Sequence, residues 1–96
     1  MGAEAFTVTA SGKTAKAAFK AAQSQALYDH GHSGYTGSIA EKSEFVMIPA
    51  PPGAGALEYA EKLIDDSDER IVDKWGPAGC IDLGDGKWLF FGWASS

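Results

Sequence analysis

The sequence predicts an α+β domain: an antiparallel sheet of about five strands, with two main helices packed mainly on one of its faces. Three observations carry this prediction. An alanine-rich segment after Lys13 repeats its apolar residues at three- and four-residue spacing. Runs rich in β-branched or aromatic residues stand before it, after it and at the end of the chain. A Gly-Asp-Gly turn divides the terminal run in two. The predicted order is strand, helix, strand, strand, helix, short helix, strand, strand, in one domain of 96 residues.

"AFTVTA", Ala5 to Ala10, alternates and is β-branched, which predicts a strand. Ser11-Gly12 breaks it. Ala15, Ala18, Phe19, Ala22 and Ala26 then form one stripe of a helix that ends near Asp29 or His30. Gly31 is a plausible stop, because glycine accepts the positive φ of a helix C-terminus. "YTGSIA", Tyr35 to Ala40, and "EFVMI", Glu44 to Ile48, read as two strands joined by a polar hairpin connection. "PAPPG" forbids regular structure. Ala56 to Asp65 reads as a second helix, with Ala56, Tyr59, Ala60 and Leu63 on its stripe and Leu57 and Ile64 widening it. Asp66-Ser67 before Glu69 resembles a capping pattern, so a short third helix is expected from Asp68 to Trp75, burying Ile71, Val72 and Trp75. At the end, "AGCIDL" and "KWLFFGWA" flank "GDG", a hairpin with Asp85-Gly86 at its tip. Trp88, Phe90, Gly92 and Ala94 alternate with Leu89, Phe91 and Trp93, so both faces of the last strand are apolar. Such a strand is either central and covered twice or open to a second chain. The second option, together with the small size of the domain, makes a homo-oligomer the expected state.

Composition narrows the function. The net charge is −5 and no basic stripe is present, which argues against nucleic acid as a partner. No apolar run approaches the roughly 20 residues of a membrane span. The start, "MGAEAFTVTA", lacks the pattern of a signal peptide, and Phe6 stands where a myristoylation motif wants Ser or Thr. A cytoplasmic location is expected. Cys80 is the single cysteine, which excludes a disulfide framework or a cysteine-based zinc site within one chain. It is expected to be a small buried hydrophobe. Asp82 reads as a surface acid of a strand or a site carboxylate. Glu58, Glu61, Asp65, Asp66, Asp68, Glu69 and Asp73 crowd together, as a solvated face or as a patch that docks a basic partner.

The chemistry concentrates in "YDHGHSGYTGS", Tyr28 to Ser38. Three readings compete. Asp29, His30 and His32 have the ligand types of a metal site but lack a distant fourth ligand. Gly31, Gly34 and Gly37 would let main-chain N–H groups approach an anion, with hydroxyls from Ser33, Thr36 and Ser38 and N–H donors from His30 or His32. Tyr35 would stack on a base. The spacing is no Walker or dinucleotide fingerprint. The third reading is a helix end followed by turns, which needs no ligand. Nucleophilic catalysis has no visible support, since no serine or cysteine is tied to the histidines by spacing. Trp75 and Trp93 are further candidates, because indole is enriched in interfaces.

At "YDHGHSGYTGSIAEKSEFVMI", followed by "DKWGPAGCIDLG" and "WLFFGWAS", the chain resembles small accessory proteins of tailed bacteriophages, notably those of actinobacteria. The resemblance carries over no catalytic or binding residue. It implies action in the host cytoplasm against a host system, by masking a host protein or by sequestering a nucleotide signal. The expectation is a non-enzymatic binding protein without a cofactor. Its ligand would be small, anionic and nucleotide-like, held by His30, His32, Ser33, Gly34, Tyr35, Thr36 and Ser38. A host-protein binder using the acidic helix or the last strand is the alternative. A small metal-dependent hydrolase using Asp29, His30 and His32 is the third class.

Overall fold

The structure, a computed structural model, describes residues 2–30, 38–51, 53 and 55–95. Its middle layer is a four-stranded sheet of order β1-β4-β3-β2, built from β1 (Ala3–Ser11), β2 (Phe45–Met47), β3 (Ala78–Gly84) and β4 (Lys87–Ser95). Helix α1 spans Ala15–His30 and α2 spans Ala56–Asp65. The α+β class agrees with the sequence reading. The strand count and the strand directions do not. β4 runs antiparallel to both β1 and β3, but β2 runs parallel to β3. A parallel neighbour needs a crossover that returns the chain to the same end of the sheet. The segment between β2 and β3, with α2 inside it, supplies that return.

The expected hairpin before β2 is absent over its described part. Tyr35 to Gly37 lie outside the described residues. Ile39–Glu41 form a 3-10 turn instead of strand, and the Ser38 hydroxyl caps it by accepting the Ala40 N–H at 3.2 Å. Ile39 is buried under α1, so its apolar side chain plugs the core. The predicted helix from Asp68 to Trp75 is a series of turns. Ser67 enters it at φ 53°, outside the helical region. Asp68 then accepts the Arg70 main-chain N–H at 2.9 Å, a local bond that competes with helix formation. Ile71 is buried as expected, but Val72 and Trp75 are 42% and 56% exposed.

The helices lie on opposite faces, not mainly on one. Ala18, Phe19, Ala22 and Ala26 of α1 pack with Cys80 and Phe90. Ala60, Leu63 and Ile64 of α2 pack with Ile81, Leu89 and Phe91. Neighbouring residues of β3 and β4 thus enter different clusters, as the two-residue period of a strand requires. β4 is central and covered twice, which accounts for its two apolar faces. Leu57, expected on the α2 stripe, is 51% exposed. The terminal hairpin forms as predicted, with Asp85 at φ 54° and Gly86 at φ 75°. A register shift between Asp82 and Gly84 accompanies the turn, and Leu83 at that shift is 40% exposed.

Candidate functional site

Most of the predicted binding segment lies outside the described residues: His32, Ser33, Gly34, Tyr35 and Thr36. His30 is the last residue of α1. Ser38 is described, and its hydroxyl oxygen serves as the cap of the 3-10 turn. Asp29 accepts a hydrogen bond from Gln25 Nε2 at 3.1 Å, one helical turn away. Among the described residues, no three His, Cys, Asp or Glu side chains converge on a metal position.

A different surface gathers donors and aromatic rings. Between α1 and the start of β2 opens a groove of about 300 Å³, lined by Lys16, Phe19, Lys20, Gln23, Ser43, Glu44 and Phe45. Its geometry follows from two local facts. Lys16 and Lys20 are four residues apart on α1, so both ammonium groups stand on one rim. Phe19 points inward from the same helix and meets Phe45 at 5.1 Å between ring centroids. Phe90 completes an aromatic cluster, at 5.4 Å from Phe19 and 5.7 Å from Phe45. Phe45 is half-buried, which leaves part of its ring towards the groove. Glu44 and Ser43 form the other rim and are exposed. The Glu44 carbonyl accepts the Ala78 N–H at 3.0 Å, so the main chain of this rim is fixed to β3.

The back of the groove is held by polar contacts that the sequence did not announce. Gln23 Nε2 donates to the carbonyls of Ile39 and Lys42, tying α1 to the 3-10 turn. Lys42 is only 3% exposed. Its ammonium donates to the carbonyls of Asp73 at 3.2 Å, Lys74 at 3.3 Å and Gly76 at 3.0 Å. Burial holds its pKa below the ordinary lysine value, with the nearby charge of Asp73 opposing the shift. Lys42 is therefore a clamp between two loops rather than a ligand group. The arrangement as a whole offers two exposed cations, a hydroxyl, a carboxylate and an aromatic wall. It is suited to holding an anionic group beside a planar ring.

Sequence reasoning missed Lys16, Lys20, Ser43, Glu44 and Phe45 as a group. The lysine pair was legible at helical spacing, but nothing local joins it to Phe45. The tryptophans divide. Trp88 donates its indole N–H to the Gly12 carbonyl at 3.0 Å, a structural bond. Trp75 is exposed, with Lys74 Nζ 5.5 Å from its ring centroid. Trp93 is half-buried, and its indole nitrogen has no hydrogen-bond partner among the described residues. Cys80 is fully buried, as expected. No helix of the described residues is long and apolar enough to cross a membrane. Comparison of the chain with protein families, with curated proteins and with solved structures gives no match.

Proposed function

We propose that this protein is a non-enzymatic binder of a small, anionic, nucleotide-like ligand, and that the groove between α1 and β2 is its site. The observation that carries the reading is the pairing of Lys16 and Lys20 with the Phe19–Phe45 wall around a cavity of ligand size. The lysines would hold a phosphate, Phe45 would contact the base, and Glu44 and Ser43 suit sugar hydroxyls. The net charge of −5 opposes an anion only as a distant field. Lys16 and Lys20 are carried by α1 on one side of the sheet, whereas Glu58, Glu61 and Asp65 are carried by α2 on the other. The resemblance to phage accessory proteins favours the same class, a binder that removes a host signal.

The test is calorimetry with a panel of mono-, di- and cyclic nucleotides. A hit should weaken at least about tenfold in a Lys16→Glu Lys20→Glu variant, which reverses two exposed charges. Stacking against Phe45 adds about 1–3 kcal/mol, by analogy with base–aromatic contacts in nucleic-acid sites. Tyr35→Ala and Gly34→Val form the second arm. If they abolish binding while the lysine variant does not, the site is the Gly31 to Ser38 segment. If no nucleotide binds at all, the ligand class is wrong.

A further inference from the structure

We propose that the free edge of β1 docks an extended, basic segment of a partner protein, which adds to the sheet as a further strand. β1 is nine residues long, and among the described residues it pairs with β4 alone. Among the described residues, every second residue of β1 thus turns its main-chain N–H and C=O away from β4. Natural edges are usually blunted by proline, bulges or several charges. The strand AEAFTVTAS has no proline, an unbroken register with β4 and one charge, Glu4.

Two depressions open on opposite faces of the same stretch of this edge. On the α2 face, one of about 440 Å³ is lined by Ala5, Phe6, Thr7, Glu61, Ile64 and Asp65. On the α1 face, one of about 190 Å³ includes Phe6, Thr7 and Val8 of the strand with Ala22, Ala26 and Ile39 beyond them. Asp29 also borders it, with its carboxylate already bonded to Gln25. A strand added here sends alternate side chains to opposite faces. One set enters a depression walled by two carboxylates. The other enters a mainly apolar depression of Phe6, Ala22, Ala26 and Ile39, with Gln25, Asp29 and Ser38 at its margin. The edge therefore matches a segment in which basic and apolar residues alternate, the pattern of recognition by strand addition.

Charge decides between occupants. A second copy paired β1 to β1 about a two-fold axis would place both α2 helices on one face. The two Glu61–Asp65 pairs would then face each other, on chains that each carry −5. A basic segment converts the same carboxylates into attraction.

The probe is a ten-residue peptide alternating lysine and valine, titrated into the full chain by calorimetry with amide hydrogen exchange in parallel. One-to-one binding is expected, with slowed exchange along β1. Glu61→Gln Asp65→Asn, at two exposed positions, should weaken it about tenfold at low salt and less at high salt. Methylating the peptide nitrogens on one alternate set should abolish binding, and methylating the other set should spare it. Equal binding of a peptide with its lysines and valines in two blocks would overturn the proposal, as would indifference to both methylation patterns. So would a peptide-free dimer joined through β1. The nucleotide groove lies at the opposite, β2 edge of the sheet, so failure here leaves that reading intact.

Discussion

Lys42 shows how a single residue can organise a fold without announcing itself. In sequence it is one lysine in a polar connection, between "SIAE" and "SEF". Its three carbonyl acceptors lie 31 to 34 residues downstream, so no local pattern could reveal them. Replacing it with methionine keeps the stem and removes the donors. Those carbonyls would then lose their partner beside a buried apolar group, and unfolding free energy should fall by about 2–4 kcal/mol in urea titrations. The pH dependence has a definite sign. Because the folded pKa is lowered, an unfolded chain holds this proton over a pH range where the folded chain has lost it. Native stability should gain from Lys42 as pH rises through that range, and Lys42→Met should lack the gain. Cys80 was legible by residue type alone. Burial, helped by Asp82, pushes its thiol up to about 11. Its reaction with a thiol reagent at neutral pH should be limited by opening of the native state, becoming fast only in denaturant. Rapid labelling of the folded protein would contradict its place in the core.

At the scale of elements, the parts whose signal is local were readable. The α1 stripe is one: Ala18, Phe19, Ala22 and Ala26 are buried as their spacing implied. The terminal hairpin is another, since its turn depends on two residues. β2 was found but its partner was not, because strand pairing depends on where the chain returns. Ile39 misled in a specific way, since an apolar residue beside Thr36 and Ala40 looks like strand but here plugs the α1 cluster. Gly79 is the sharpest element-level test. It pairs with Val46 on one side and Phe91 on the other. A Cβ there would stand 2.6 Å from the Phe91 ring and 3.0 Å from Ile48 Cδ1. Both neighbours are buried and cannot step aside cheaply. Gly79→Ala should therefore destabilise the chain by about 1–3 kcal/mol, with the near-ultraviolet aromatic signal altered before the helices melt. A neutral effect on the denaturant midpoint would mean that the β2–β3–β4 register is wrong.

For the whole molecule, the decisive feature is that the two helices cover opposite sides of the sheet. α1 carries the exposed Lys16 and Lys20, with Asp29 near its end, and α2 carries the exposed Glu58, Glu61 and Asp65 beside Lys62. Composition could show only the sum of −5, not which helix holds which charge. Among the described residues, β1 and β2 are the two edges of the sheet, each beside a groove. The segment that the sequence marked most strongly, Gly31 to Thr36, lies outside the described residues, so its chemistry stands as an expectation for the loop variants to test. The groove at β2 was not legible because it joins residue 16 to residue 45 through packing alone. The most direct measurement is a two-dimensional amide NMR titration with the strongest nucleotide of the panel. Binding in the groove predicts saturable shifts concentrated at Lys16, Lys20, Gln23 and Ser43 to Phe45, and their loss in the Lys16→Glu Lys20→Glu variant. Shifts confined to the Gly31 to Ser38 segment or to β1, or no shifts at saturating nucleotide, would contradict it.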